Sequence, residues 1–143
     1  MKKKILFLCT GNSCRSQMAE GWCRFFWDEK YECYSAGTQK HGMNTRAVKV
    51  MQEEGIDLST HFSKTTDELA IESFDFVVTV CDSANEACPY FAGSKIVHLG
   101  FNDPPALTKD MIDENQILNI YRRVRDEIKT TVQRLPELIG DLS

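Results

Sequence analysis

A chain of 143 residues, 42% hydrophobic and 27% charged, is long enough to bury a core as one soluble globular domain over 1–143 without staples. Its net charge of −4 and the lack of any basic stripe argue against general nucleic-acid binding. After Met1-Lys2-Lys3-Lys4 the apolar run ends at Leu8, too short for a secretory leader or a membrane span, so a cytoplasmic protein is expected.

Ile5 to Leu8 reads as a central parallel strand buried on both faces. From about Cys14 to Trp27, Met18, Trp22 and Phe25 or Phe26 recur at helical spacing. Tyr31 to Ser35 alternates and ends at Ala36-Gly37, a second strand. Asn44 or Thr45 caps a helix through Ala47, Val48 and Met51 that stops at Gly55. Thr65 with Glu68 forms a capping box for a short helix through Leu69 and Ile71. Phe74 to Val80 is the strongest strand signal and runs straight into Cys81. Lys95 to Leu99 is a fourth strand, ending at Gly100. Ile117, Ile120, Tyr121, Val124, Ile128, Val132 and Leu135 mark one long amphipathic helix. The alternation predicts an α/β fold, a four-stranded parallel sheet flanked by helices. Such sheets hold ligands at the carboxyl ends of their strands, which puts Cys9, Cys81 and Asp103 on one rim.

Six cysteines, Cys9, Cys14, Cys23, Cys33, Cys81 and Cys88, are many for such a chain. A reducing compartment would not keep a disulfide framework. The C-x4-C and C-x6-C spacings, with no C-x2-C pair, fit zinc poorly, so redox chemistry is expected and no metal. Cys9-Thr10-Gly11-Asn12-Ser13-Cys14-Arg15, followed by Ser16, lies at a strand-to-helix junction. Backbone N–H groups, the positive end of the helix and the Arg15 guanidinium converge there into a cradle for an oxyanion. The same surroundings stabilise a thiolate at Cys9, a nucleophile aimed at the bound anion. Taken alone, the loop leaves a phosphate ester and arsenate equally open. Cys14 need not face the substrate. Cys23 and Cys33 fall in helix and strand patterns and are read as structural, as are His41, His61 and His98, the last nearest the rim.

The stretch from Cys9 to Trp22 resembles the active-site loop and first helix of thioredoxin-coupled arsenate reductases, which share the fold of low-molecular-weight protein tyrosine phosphatases. Tyr34-Ser35-Ala36-Gly37, Val77 to Cys81, Cys88-Pro89, Gly100 to Pro104 and Arg123 to Ile128 carry the resemblance over nearly the whole chain. It implies arsenate as the substrate, bound by Thr10, Gly11, Asn12, Ser13, Cys14 and Arg15 in a cytoplasmic monomer without a cofactor. Cys9 attacks arsenic, Asp103 protonates the departing hydroxyl, and Ser16 supports the Cys9 sulfur. Cys81 then attacks Cys9, arsenite leaves, and Cys88 moves the disulfide to Cys81–Cys88, where thioredoxin reduces it.

Cys88 lies seven residues past Cys81. A helix would separate the two by about 10.5 Å along its axis, whereas a disulfide needs α-carbons within about 7 Å. The segment is therefore expected to unwind on oxidation. Relatives that bind potassium use an asparagine, a glutamate, a serine and an aspartate; Asn12, Glu20 and Ser35 match, and Lys64 replaces the aspartate, which implies no potassium requirement. The alternatives are a low-molecular-weight tyrosine phosphatase and a non-catalytic redox sensor or arsenical binder. Asp103-Pro104 continues as Pro105-Ala106 rather than the phosphatases' Asp-Pro-Tyr, and a phosphatase has no use for Cys81 and Cys88.

Overall fold

Ile5, Leu6, Phe7 and Leu8 are each at most 1% exposed, and this apolar run sets the architecture, because a strand buried on both faces must lie inside a sheet. The computed structural model describes residues 2–71, 73–82 and 95–141. Strand β1 (Lys3–Cys9) is flanked by β2 (Tyr31–Gly37) and β3 (Phe76–Thr79), and β4 (Lys95–His98) lies beyond β3. All pairings are parallel and the order is β2-β1-β3-β4, the four-stranded sheet the sequence predicts. Ile5, Phe7 and Cys9 enter the larger core with Met18 and Trp22 of helix α1 (Arg15–Trp27) and Tyr121, Val124 and Ile128 of a long C-terminal helix. Leu6 and Leu8 face the other way, toward Ala36, Phe74 and Val77.

Helix α2 (Thr45–Glu53) starts at the expected cap: the Asn44 side chain accepts from the Arg46 and Ala47 amides. The Thr65–Glu68 box forms, with the Thr65 amide donating to Glu68 Oε1 at 3.0 Å, but it opens a 3-10 turn, Thr66–Leu69, rather than an α-helix. A five-residue helix α3 (Pro104–Thr108) follows Asp103, an element the sequence pattern did not predict. The single C-terminal helix is two: α4 (Glu114–Gln133) and α5 (Leu135–Ile139). Pro136 has no N–H to continue the α4 ladder, which explains the break. The helix expected between β3 and β4 falls on residues outside those described.

The expectation of no structural disulfide is corrected at one pair. Cys23 on α1 and Cys33 on β2 are bonded, with α-carbons 6.3 Å apart. The third turn of α1 crosses β2 there, and Arg24 Nη2 donates to the Cys33 carbonyl at 2.7 Å beside it. Among the described residues no helix is long and apolar enough to cross a membrane.

Candidate active site

The chain leaves β1 at Cys9 and enters α1 at Arg15, and the loop between them lies over the sheet at its topological switch point. β2 pairs on one side of β1 and β3 on the other, which opens a crevice above the β1 end. The carbonyls of Thr10, Gly11 and Ser13 accept from the amides of Gln39, His41 and Asn44 at 2.9, 3.1 and 3.0 Å, and Ser63 Oγ adds a bond to Gly11 O. With its carbonyls bound from outside, the loop turns its N–H groups to the cavity, a nest for an anion. Gly37 is required for this approach, since a side chain there would collide with the Thr10 carbonyl and the Asn12 amide. The cavity is lined by Cys9, Thr10, Gly11, Ser13, Cys14 and Arg15, with His41, Asp103 and Pro105 completing it.

Cys9 is a free thiol, 3% exposed, and its sulfur lies 2.9 Å from Ser16 Oγ. Asn12 Nδ2 donates to that oxygen at 2.8 Å, so the Ser16 proton is turned toward the sulfur. Gln17 Nε2 donates in turn to Asn12 Oδ1 at 2.9 Å, and Gln17 Oε1 faces His61 Nδ1 at 2.9 Å. Burial pushes His61 below its ordinary value, against the pull of Glu20. A neutral His61 with its proton on Nδ1 therefore starts a chain of donors that all point to Cys9. Asn12, expected to contact substrate, holds its fully buried side chain behind the loop, on a backbone with φ of 49°; only its amide is left for the anion. The Ser16→Ala variant is expected to slow Cys9 alkylation by iodoacetamide roughly tenfold, the worth of a hydrogen bond to a charged group. Peptide mass measures it, and wild-type kinetics in the variant would contradict the role.

Arg15, 5% exposed, is aimed rather than loose. Its Nη1 donates to the Phe101 carbonyl at 3.1 Å, and Nε lies 3.5 Å from Asp103 Oδ1. Asp103 occupies the cap position of α3 but makes no side-chain cap hydrogen bond, which leaves its carboxylate at the cavity mouth, partly exposed. Cys14 lines the cavity, yet burial pushes its thiol well up, with Asp103 adding to the shift and Arg15 opposing it. A thiol held neutral in this way is a poor nucleophile.

Leu8 pairs with Thr79 across β1 and β3, so Cys9 and Cys81 leave adjacent strands on the same rim. Cys81 is fully buried and disulfide-bonded, whereas Cys9 is not. Cys88 and the expected unwinding of 82–87 fall on residues outside those described, apart from Asp82, whose Oδ2 accepts from Asn102 Nδ2 at 3.1 Å. That bond ties the Asp103 loop to the residue that follows Cys81. His98, at the end of β4, hydrogen-bonds Thr79 Oγ1 at 2.7 Å, and with Cys81 O it leaves no room for a side chain at Gly100.

Behind the loop, Asn12, Glu20, Ser35 and Lys64 do meet. Ser35 Oγ donates to Glu20 Oε1 at 2.5 Å, the Lys64 amide donates to Asn12 Oδ1 at 2.9 Å, and Lys64 Nζ donates to the Phe62 carbonyl at 3.0 Å. Burial pushes the ammonium below its ordinary value while Glu20 opposes the shift. These residues do not fit a potassium ion, because a buried amine already stands in the field of the one carboxylate. Exchanging potassium for sodium at constant ionic strength is expected to leave substrate KM within about twofold, and a tenfold lower KM in potassium would contradict this.

Sequence reasoning missed His41 and Pro105 in the cavity wall, and Gln17 behind the loop. The one available sign was the position of His41, in the segment that follows the carboxyl end of a strand. Among the described residues no cluster of side chains suits a metal ion.

Residues 4–141 match the family described as low molecular weight phosphotyrosine protein phosphatase. An arsenate reductase of Halalkalibacterium halodurans is 45% identical over 137 residues, which is 95% of this chain and 96% of that one. The crystal structure of an arsenate reductase from Archaeoglobus fulgidus superposes with a TM-score of 0.74 at 27% identity, covering 96% of this chain and 99% of the other. A low molecular weight protein tyrosine phosphatase from T. tengcongensis gives 0.73 at 28% identity, covering 95% and 99%.

Proposed function

Since the chain belongs to the low molecular weight phosphotyrosine protein phosphatase family, we propose that it uses the family's thiolate cradle to reduce arsenate to arsenite, with thioredoxin as the electron donor. The observation that carries this is the pairing of a free Cys9 inside the cradle with a disulfide-bonded Cys81 on the adjacent strand end. A phosphatase needs the first and has no use for the second. The similarity to arsenate reductases over 95% of the chain supports the same choice.

The Cys9 thiolate attacks arsenic(V), and Asp103, beside Arg15, protonates the departing hydroxide so that water leaves. Arg15 and the loop amides hold the remaining oxygens, whose charge grows at this step. Cys81 then attacks Cys9 Sγ. The new S–S bond forms as the S–As bond breaks, its electron pair passes to arsenic, and arsenite leaves as arsenic(III). Cys88 attacks Cys81 Sγ, forming Cys81–Cys88 and releasing Cys9 as a thiolate. A thioredoxin dithiol reduces the final disulfide. A Cys81 in disulfide beside a free Cys9 matches the state after the internal transfers. The substrate side needs no cofactor, and the enzyme acts as a cytoplasmic monomer.

The test is NADPH consumption with thioredoxin and its reductase on addition of arsenate, alongside hydrolysis of an aryl phosphate. Arsenate-dependent turnover is expected. Good aryl phosphate hydrolysis with no arsenate-dependent turnover would assign the chain to the phosphatases instead.

A further inference from the structure

The cavity wall contains one nitrogen heterocycle that the relay does not use. His41 is exposed and lines the same cavity as Cys9, Arg15 and Asp103. Its position is fixed three ways. Its amide donates to the Gly11 carbonyl at 3.1 Å. Its Nε2 lies 2.9 Å from Gln39 Oε1, and Gln39 is itself held by its amide on the Thr10 carbonyl. Its Nδ1 edge lies against Gly11 so closely that a Cβ there would collide with it. With Nε2 committed to Gln39, Nδ1 is the ring nitrogen left on the loop side, and it makes no hydrogen bond among the described residues.

The charges in the cavity show what such a group would do. A bound arsenate dianion joins the Cys9 thiolate and the Asp103 carboxylate, while among the described residues of the lining Arg15 is the only permanent cation. Arg15 is partly engaged already by Asp103 and the Phe101 carbonyl. The inner oxygens have the loop amides, and an oxygen turned toward the mouth needs a further polar partner.

Resting on arsenate reduction as the reaction, we propose that His41 is a substrate-binding contact, whose Nδ1 hydrogen-bonds an outer oxygen of the bound tetrahedral oxyanion. When Nδ1 is unprotonated it accepts from the anion's hydroxyl, and when protonated it donates to a bare oxygen. Either way the contact is made in the bound state before any bond to arsenic changes, so it acts on binding rather than on the chemical step.

The test compares His41→Phe, which keeps a ring against Gly11 but no nitrogen, with His41→Asn, whose amide reaches the place of Nδ1. His41→Phe is expected to raise arsenate KM about tenfold with kcat within about twofold, the pattern of lost uniform binding. Calorimetric affinity for inorganic phosphate is expected to fall by the same factor. His41→Asn is expected to stay within about threefold of wild type in both measurements. Melting midpoints are expected within about 2 °C of wild type; should Phe shift further, His41→Ala replaces it in the comparison. Unchanged phosphate affinity in the variant without nitrogen would overturn the proposal, as would equal losses in Phe and Asn, or a fall in kcat with KM unmoved. Phosphate binding involves no turnover, so its failure leaves arsenate reduction standing, and an inactive wild type leaves the phosphate comparison readable.

Discussion

Replacing Cys9 by Ser is expected to lower arsenate-dependent turnover at least about a thousandfold, while phosphate still binds within about threefold of wild type. The hydroxyl fits where the thiol stood, since Cys9, the last residue of β1, is buried against Ser16 and the substitution removes little volume. What disappears is the proposed nucleophile. Among the described residues the side chain hydrogen-bonded to this position is Ser16 Oγ, which accepts from Asn12 and is not a base. The loop amides and Arg15 remain, and they account for the retained anion binding. Steady-state NADPH consumption gives the rate and calorimetry gives the affinity. Residual turnover above about 1% of wild type would mean that another group attacks arsenic.

Arg15→Lys is expected to cost about a hundredfold in kcat/KM, close to 2.7 kcal/mol. The guanidinium is buried and its planar fork is oriented by the Phe101 carbonyl and Asp103, so its remaining N–H groups are held in the cavity wall without reorganisation. A lysine ammonium is a point charge on a flexible stem; it cannot reach Phe101 O and present two parallel donors at once. It also loosens Asp103, the proposed acid for the leaving hydroxide, so kcat is expected to fall as well as affinity. A variant with wild-type kcat and only a raised KM would confine Arg15 to uniform binding.

Much of the fold was legible because its decisive signals are local. The run from Ile5 to Leu8 could only be an interior strand, and Asn44 carried its cap in plain view. The split at Pro136 shows the limit of periodicity: apolar spacing through Leu135 argued for one helix, and the missing N–H of one residue overrode it. Helix α3 was hidden because Asp103-Pro104-Pro105 suits a turn as well as a helix start. The Cys23–Cys33 bond spans ten residues across a helix and a strand, and nothing in that spacing encodes their meeting.

The site divides in the same way. Cys9, Arg15 and Ser16 stand within eight residues of one another, so their cooperation is written in a single stretch. Asn12 shares that stretch, yet on its positive φ the side chain is fully buried and bonds Ser16 rather than lining the cavity. His41 and Pro105 reach the cavity only because separate loops are folded over the β1 end. Their contribution belongs to tertiary structure, which no short motif records.

The relay of electrons from Cys88 through Cys81 to Cys9 is tested most directly by counting arsenite released by Cys88→Ser in the presence of excess arsenate, thioredoxin and its reductase. One arsenite per protein, followed by arrest with Cys9 and Cys81 joined in a disulfide, is the predicted result. Continued release at the wild-type rate would contradict it.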